Sequence, residues 1–155
     1  MDEVTARNRA AYDGIAADFA ARNPEVPGTY RELAEEFHRR LDGPLLDLGC
    51  GPGRDLTFWA DRGATPVGLD LSAGMLREAR RRVAVPLVQA DLLRLPFRAG
   101  AFGGAWCSAA LLHLPKAAAP AALAGVRRVL RPGAPLLRDV TDLGQRWLCH
   151  LGTVA

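Results

Sequence analysis

The segment Leu45 to Gly53, reading LLDLGCGPG, narrows the choice of folds more than any other stretch of the chain. Leu45 to Leu48 is short and almost wholly apolar, which suits a buried strand. Gly49, Gly51 and Gly53 follow at once, and Leu56, Trp59 and Ala60 then recur at helical spacing. Strand, tight turn and helix in immediate succession is the building unit of an open α/β sheet, whose ligands sit beyond the carboxyl ends of the strands. Glycine lets the main chain turn sharply and lets a ligand approach it without striking a Cβ, while N–H groups at a helix start favour an anionic group. A nucleotide-like ligand follows; the alternative is a glycine-rich turn that holds nothing.

The same alternation extends along the chain. A helix is expected from Val4 to Arg22, with Tyr12, Ile15, Ala16 and Phe19 in one stripe and Asp2 or Thr5 near its start. A loop carrying Pro24, Pro27 and Gly28 leads to a second helix from about Tyr30 to Leu41, ended by Gly43 and Pro44. After the glycine turn come a strand from Pro66 to Leu69, a helix from Ser72 to Arg82 capped by Ser72, and strands at Leu87 to Gln89 and Phe102 to Ser108. A helix from Ala118 to Leu130 and a fifth strand from about Pro135 to Val140 complete the series. Right-handed crossovers then place helices on both faces of a mainly parallel sheet.

At 155 residues the chain can bury one core, which makes it a single domain: a helical cap over 1–42, an α/β core over 43–140 and a short segment over 141–155. Hydrophobic residues are 49% and charged residues 24%, which excludes wholesale disorder. The longest apolar and small-residue run, Ala101 to Leu112, falls short of the ~20 residues that cross a bilayer. Met1, Asp2 and Glu3 do not begin an export signal, so a cytoplasmic protein without a membrane partner is expected. The net charge of +3 rests almost wholly on arginine, with Lys116 the one lysine. A coding bias explains that as well as a nucleic-acid footprint does, and the clusters Arg80 to Arg82 and Arg127, Arg128, Arg131 suit solvated helix faces, so no nucleic-acid partner is expected. Cys50, Cys107 and Cys149 stand too far apart for a close-set disulfide scaffold or a paired metal-ligand motif; reduced thiols and no metal are the simple reading.

Spacing bears on which nucleotide. The dinucleotide fingerprint needs a glycine at the sixth position after the strand, and Arg54 stands there, so a nicotinamide cofactor loses ground. Asp70 lies 21 residues after Gly49 at the end of the second strand, where a carboxylate can accept from both ribose hydroxyls. It is equally close to the start of the next helix and could serve as its cap.

Taken together, Leu45 to Gly53, Val67 to Leu76, Gln89 to Leu92, Leu95 to Phe97, Ala101 to Leu114 and Val129 to Gly133 resemble class I S-adenosylmethionine-dependent methyltransferases, in particular the small-molecule group that includes ubiquinone and menaquinone biosynthesis-type enzymes. The resemblance implies a Rossmann-like, doubly wound fold with about five strands here, and S-adenosylmethionine as cofactor with S-adenosylhomocysteine as product. It places Asp47, Gly49, Cys50, Gly51 and Gly53 at the methionine end of the cofactor and Asp70 on its ribose. Leu71 and Met75 lie against the adenine, Asp91 and the Leu92 N–H at its polar edge, and Cys107 and Ser108 on the floor near the sulfonium. Tyr12 resembles an N-terminal helix residue that closes over the cofactor, although its spacing to Ile15 and Phe19 suits a buried stripe as well.

Methyl transfer from a sulfonium releases a neutral thioether, so alignment and a dry site carry much of the work; positioning alone is worth ~7 to 11 kcal/mol. The expected reaction is in-line displacement onto a small-molecule acceptor. His113, just past the fourth strand, can take a proton from an acceptor hydroxyl, or can be a loop histidine bonded to main chain. Trp106 to Ala109 departs from the Asp/Asn-Pro-Pro-Tyr motif of enzymes that methylate planar amino groups, which disfavours DNA amino methylation. The larger departure is at the end: only 15 residues follow Val140, where the family adds a helix and an antiparallel strand pair. The sheet is expected to lack that pair, with Leu143, Trp147, Leu148 and Leu151 in a helix over its edge. An open edge strand invites pairing with a second copy, and a truncated, non-catalytic module that binds the cofactor is the alternative function.

Overall fold

Leu45, Leu46 and Leu48 are fully buried because their strand, β1 (Leu45–Leu48), lies inside a sheet covered on both faces. The structure, a computed structural model, describes residues 3–26, 28–141 and 147–153. Its sheet runs β3 (Leu87–Gln89), β2 (Pro66–Asp70), β1, β4 (Gly104–Cys107), β5 (Pro135–Thr141) and β6 (Trp147–Thr153) in spatial order. The first five are parallel. Chain order reverses between β1 and β4, and open α/β sheets bind ligands in the crevice at that reversal.

Alternation along β1 and β4 sends side chains to two cores. Leu46, Leu48, Ala105 and Cys107 pack with Val126 and Val129 of α5 (Ala119–Val129). Leu45 and Trp106 go to the opposite face, against Ala34 and Phe37 of α2 (Arg31–Arg40) and Trp59 of α3 (Arg54–Ala60). Asp47 pairs in register with Trp106 and shares the parity of Leu45, so it belongs to this second, aromatic face. α4 (Ala73–Arg82) starts at Ser72, whose Oγ accepts from the Met75 N–H at 3.0 Å as a side-chain cap.

The mainly parallel α/β fold with helices on both faces stands as expected, and differences gather at the ends. Residues 147–153 form β6, antiparallel to β5 with Thr141 opposite Trp147 and Pro135 opposite Thr153. They are not a helix; Leu143 lies outside the described residues. β5 is therefore not the edge of the sheet, which removes the ground for copies pairing along it. The physical reason is that Trp147, Leu148 and Leu151 suit either periodicity, and a seven-residue partner strand decides between them. In α1 (Glu3–Arg22), Ala16 is buried but Ile15 is 47% exposed, so Ile15 leaves the expected stripe. Thr5 lies inside α1 and does not cap it, while Asp2 is outside the described residues. No helix of the described residues is long and apolar enough to cross a membrane.

Candidate active site

A cavity of about 590 Å³ opens at the carboxyl ends of β1, β2 and β4, beneath α1. Its wall includes Tyr12, Asp47, Gly49, Cys50, Gly51, Asp70, Leu71, Met75, Asp91, Leu92, Ser108 and His113, residues that come from five separate stretches of sequence. Two expected members are elsewhere. Cys107 is 1% exposed and packs into the α5 core, because the side chain that ends a buried strand alternates away from its neighbour. Gly53 sits behind the wall as the residue before α3, in left-handed backbone with φ 83°.

Gly49 and Gly51 are glycine for different reasons. A Cβ at Gly49 would meet the Ala110 Cβ at 2.4 Å, so the turn can close on the segment after β4 only without a side chain. At Gly51 a Cβ would meet nothing, but φ is 52°, and the turn aims the Gly51 N–H at Asp70 Oδ2, 2.9 Å away. Asp70 Oδ1 accepts from the Ser72 N–H at 2.8 Å. Ser72, not Asp70, caps α4, and the Asp70 carboxylate is fixed by main chain while facing the cavity. Burial raises its affinity for a proton against the pull of the Ser72, Gly51 and Leu71 N–H donors.

Asp47 is 2% exposed, and its Oδ2 has no hydrogen-bond partner. A buried carboxylate oxygen left without a donor costs free energy, so this atom can take a donor supplied from the cavity. Burial, and after it the neighbouring Asp55 charge, pushes the Asp47 carboxyl well above the usual carboxylate range, with Arg54 opposing. A cationic amino group fits that atom, and the main-chain turn at Gly49 to Pro52 fits an anionic or polar chain laid against it. The residues present therefore fit an adenosyl amino acid. Cys50, pushed well up by burial and then by Asp47, contributes a neutral thiol.

Across the cavity, the Tyr12 hydroxyl lies 2.9 Å from His113 Nε2. Burial lowers the His113 imidazole, with Asp70 pulling the other way, and burial followed by the Asp70 charge raises the Tyr12 phenol. Both groups therefore hold their neutral forms near neutral pH, sharing one hydrogen bond. Asn8 Nδ2 donates to the His113 carbonyl at 3.4 Å.

Several wall residues were not found in the sequence. Asn8, Arg9, Phe19 and Tyr30 line the cavity from α1 and the 3₁₀ turn before α2, and Arg54 and Asp55 line it from the start of α3. Asp13, beside Tyr12, fastens α1 down: its Oδ1 accepts from Ser72 Oγ at 2.6 Å and from the Gly74 N–H at 2.8 Å. Gly74 permits that approach, since a Cβ there would meet Asp13 main chain at 2.9 Å. The one sequence signal for Arg54 and Asp55 is their place directly after the glycine turn.

Residues 45–133, more than half of the chain, match the family described as methyltransferase domain. The chain is 40% identical over 145 residues to malonyl-[acyl-carrier protein] O-methyltransferase of Enterobacter lignolyticus, covering 89% of this chain and 57% of that one. It is 32% identical over 141 residues to demethylmenaquinone methyltransferase of Symbiobacterium thermophilum, covering 81% of this chain and 55% of that one. The solved structure of the glycopeptide N-methyltransferase MtfA, complexed with (S)-adenosyl-L-methionine, superposes with a TM-score of 0.61 at 29% identity, over 73% of this chain and 50% of that one. The chain thus spans between half and three-fifths of the length of these proteins. The glycine turn, the two strand-end carboxylates and these likenesses place the chain in one family: it belongs to the S-adenosylmethionine-dependent methyltransferases.

Proposed function

We propose that the protein transfers a methyl group from S-adenosylmethionine to a small-molecule acceptor by in-line displacement. The observation that carries this reading is the unpartnered Asp47 Oδ2, buried in the wall of a cavity that also holds Gly51 and Asp70. When bound, the cofactor supplies an electrophilic methyl on a sulfonium and leaves as S-adenosylhomocysteine. In this reading Asp47 receives the ammonium and the Gly49 to Pro52 turn the rest of the amino-acid end. Asp70, oriented by Gly51 and Ser72, accepts from the ribose; Leu71 and Met75 flank the adenine; and Asp91 with the Leu92 N–H takes its polar edge. Ser108 borders the reacting centre. Within the N-terminal helical region, α1 acts as a cap that keeps water out, with Tyr12 closing over the ligand. His113 accepts the acceptor's hydroxyl proton, directly or through the Tyr12 hydroxyl 2.9 Å away.

Calorimetric titration with S-adenosylhomocysteine tests the cofactor half of the reading, with Asp70→Ala as control. Heat from the wild type and none from the variant is expected; no heat from the wild type overturns it. Turnover is tested first on the acceptors that the relatives are named for, a malonyl thioester of acyl-carrier protein and demethylmenaquinone. On an acceptor that gives up a hydroxyl proton, His113→Ala is expected to lower turnover about 100-fold or more while leaving the cofactor's affinity in place; an ionised carboxylate has no such proton, and its methylation is expected to change little. An unchanged rate on the hydroxyl acceptor would remove the base from the scheme.

A further inference from the structure

Against the sheet face that carries Asp47, α3 packs a second buried polar group that the cofactor scheme does not use. Asp55, 6% exposed, accepts from the Trp106 indole N–H at 2.8 Å through Oδ2 and from Arg54 Nε at 2.5 Å through Oδ1. Trp106 is itself immobile: it is 1% exposed and packs edge-on against Trp59 and Phe37, with ring centroids 4.8 and 5.3 Å away. The chain of contacts thus runs from the aromatic core, through one carboxylate, to a guanidinium on the cavity wall.

We propose that Trp106 and Asp55 are positioning residues that hold Arg54 as the receptor for a carboxylate, so that the amino-acid end of the ligand is read by two opposite charges, Arg54 and Asp47. The inference rests on the adenosyl reading of the cavity and adds to it a basis for selecting an intact amino acid. Three features support it. Arg54 binds Asp55 through Nε alone, and a guanidinium has five N–H donors, so its terminal nitrogens lie beyond that bond. Arg54 stands among Asp47, Asp55 and Tyr30, and although burial disfavours its charge, the bond to Asp55 and the nearby carboxylates hold it protonated. Asp47 and Trp106 are register partners on adjacent strands, so the anchor of the Asp55–Arg54 contact and the Asp47 carboxyl stem from one rung of the sheet. A guanidinium with one nitrogen fastened loses little further freedom on binding a carboxylate, and its planar fork matches that group.

The test is to compare S-adenosylhomocysteine with 5′-methylthioadenosine, which keeps the adenosyl thioether and lacks the amino-acid end, by calorimetry. Arg54→Met is expected to weaken S-adenosylhomocysteine about 10-fold or more and to leave 5′-methylthioadenosine within about twofold. Arg54→Lys, which keeps the charge and loses the fork, is expected to recover part of the difference. Trp106→Phe keeps the ring packing and removes the N–H; it is expected to weaken S-adenosylhomocysteine severalfold without moving 5′-methylthioadenosine. Retained 5′-methylthioadenosine binding also reports that each variant is folded. Equal loss of both ligands in both Arg54 variants, or loss of neither, overturns the role of Arg54; an unchanged Trp106→Phe overturns the relay. A wild type that binds neither ligand refutes the adenosyl reading itself, a separate result.

Discussion

Ala109 is the one non-glycine residue among those described with positive φ, at 55°, and it stands between Ser108 and Ala110 on the cavity wall. Left-handed backbone costs an alanine roughly 1–2 kcal/mol, because Cβ crowds the following carbonyl. The bend brings Ala110 against the glycine turn, where its Cβ would lie 2.4 Å from any Cβ at Gly49. Ala109→Gly is therefore expected to relieve strain, with a net gain of under about 1 kcal/mol once the freer unfolded chain is counted. Ala109→Val is expected to lose more than that, since a β-branched residue tolerates this region poorly. Thermal unfolding of both variants checks the order glycine, alanine, valine; a valine variant as stable as wild type would show that the bend is not needed. At this scale the sequence was informative where a function depends on spacing along one strand–turn–helix unit. Asp47, Gly49, Gly51 and Asp70 reach the cavity from such units. Cys107 did not, because the direction of a side chain at the end of a strand buried on both faces is set by pleat and partner strands, not by residue type.

α1 buries little apolar surface of its own: of its described side chains only Thr5 and Ala16 are buried, and Val4 and Ile15 are more than 40% exposed. Its seat depends instead on Asp13, which spans Ser72 and Gly74, and on the Tyr12–His113 bond. The hydrogen bond from Ser72, followed by that from the Gly74 N–H, holds the Asp13 carboxyl below its ordinary value, so the contact persists in the charged form through neutral pH. Asp13→Ala leaves Ser72 still capping α4 but frees α1, and amide exchange in residues 5–20 is expected to quicken while β1 and β4 keep their protection. Binding of S-adenosylhomocysteine weakens in the same variant, because Tyr12 no longer rests over the cavity. Unchanged exchange in α1 would mean that apolar packing alone seats the helix. Helix and strand boundaries within the core were legible because short apolar runs and amphipathic helices alternate without long insertions, as at Leu87–Gln89 and Ala73–Arg82. The seat of α1 was not legible: Asp13 and Ser72 are 59 residues apart, and nothing local marks them as partners. β6 escaped for a related reason, since its period is ambiguous and its partner is found by pairing with β5.

Over the whole molecule, the cavity concentrates carboxyl groups that pull stability in a direction opposite to that of Asp13. Asp47 and Asp70 both have raised proton affinities, burial being the leading cause in each. A carboxyl whose folded value exceeds its unfolded value of 3.8 binds more protons folded than unfolded between the two values. Its contribution is fully present below pH 3.8 and is lost as pH rises through the folded value. Asp13 acts with the opposite sign, stabilising above its unfolded value and losing that contribution in acid. The ligand-free protein thus buries carboxyl groups whose ionisation the fold disfavours. Asp47→Asn removes the titration at the most buried of these groups, so the difference in thermal midpoint between variant and wild type is expected to be smallest in acid and to grow in favour of the variant as pH rises above 3.8. Each kcal/mol so recovered corresponds to about 2–4 °C in a chain of this size. The same variant is expected to bind S-adenosylhomocysteine about 10-fold or more weakly, because the ammonium loses its counter-charge. Saturating ligand reverses the ranking: with S-adenosylhomocysteine present, wild type gains stability by mass action and the variant gains little. A midpoint difference that stays constant from pH 4 to 8 would show that Asp47 does not titrate between the folded and unfolded states, and would remove the ground for assigning it a cationic ligand.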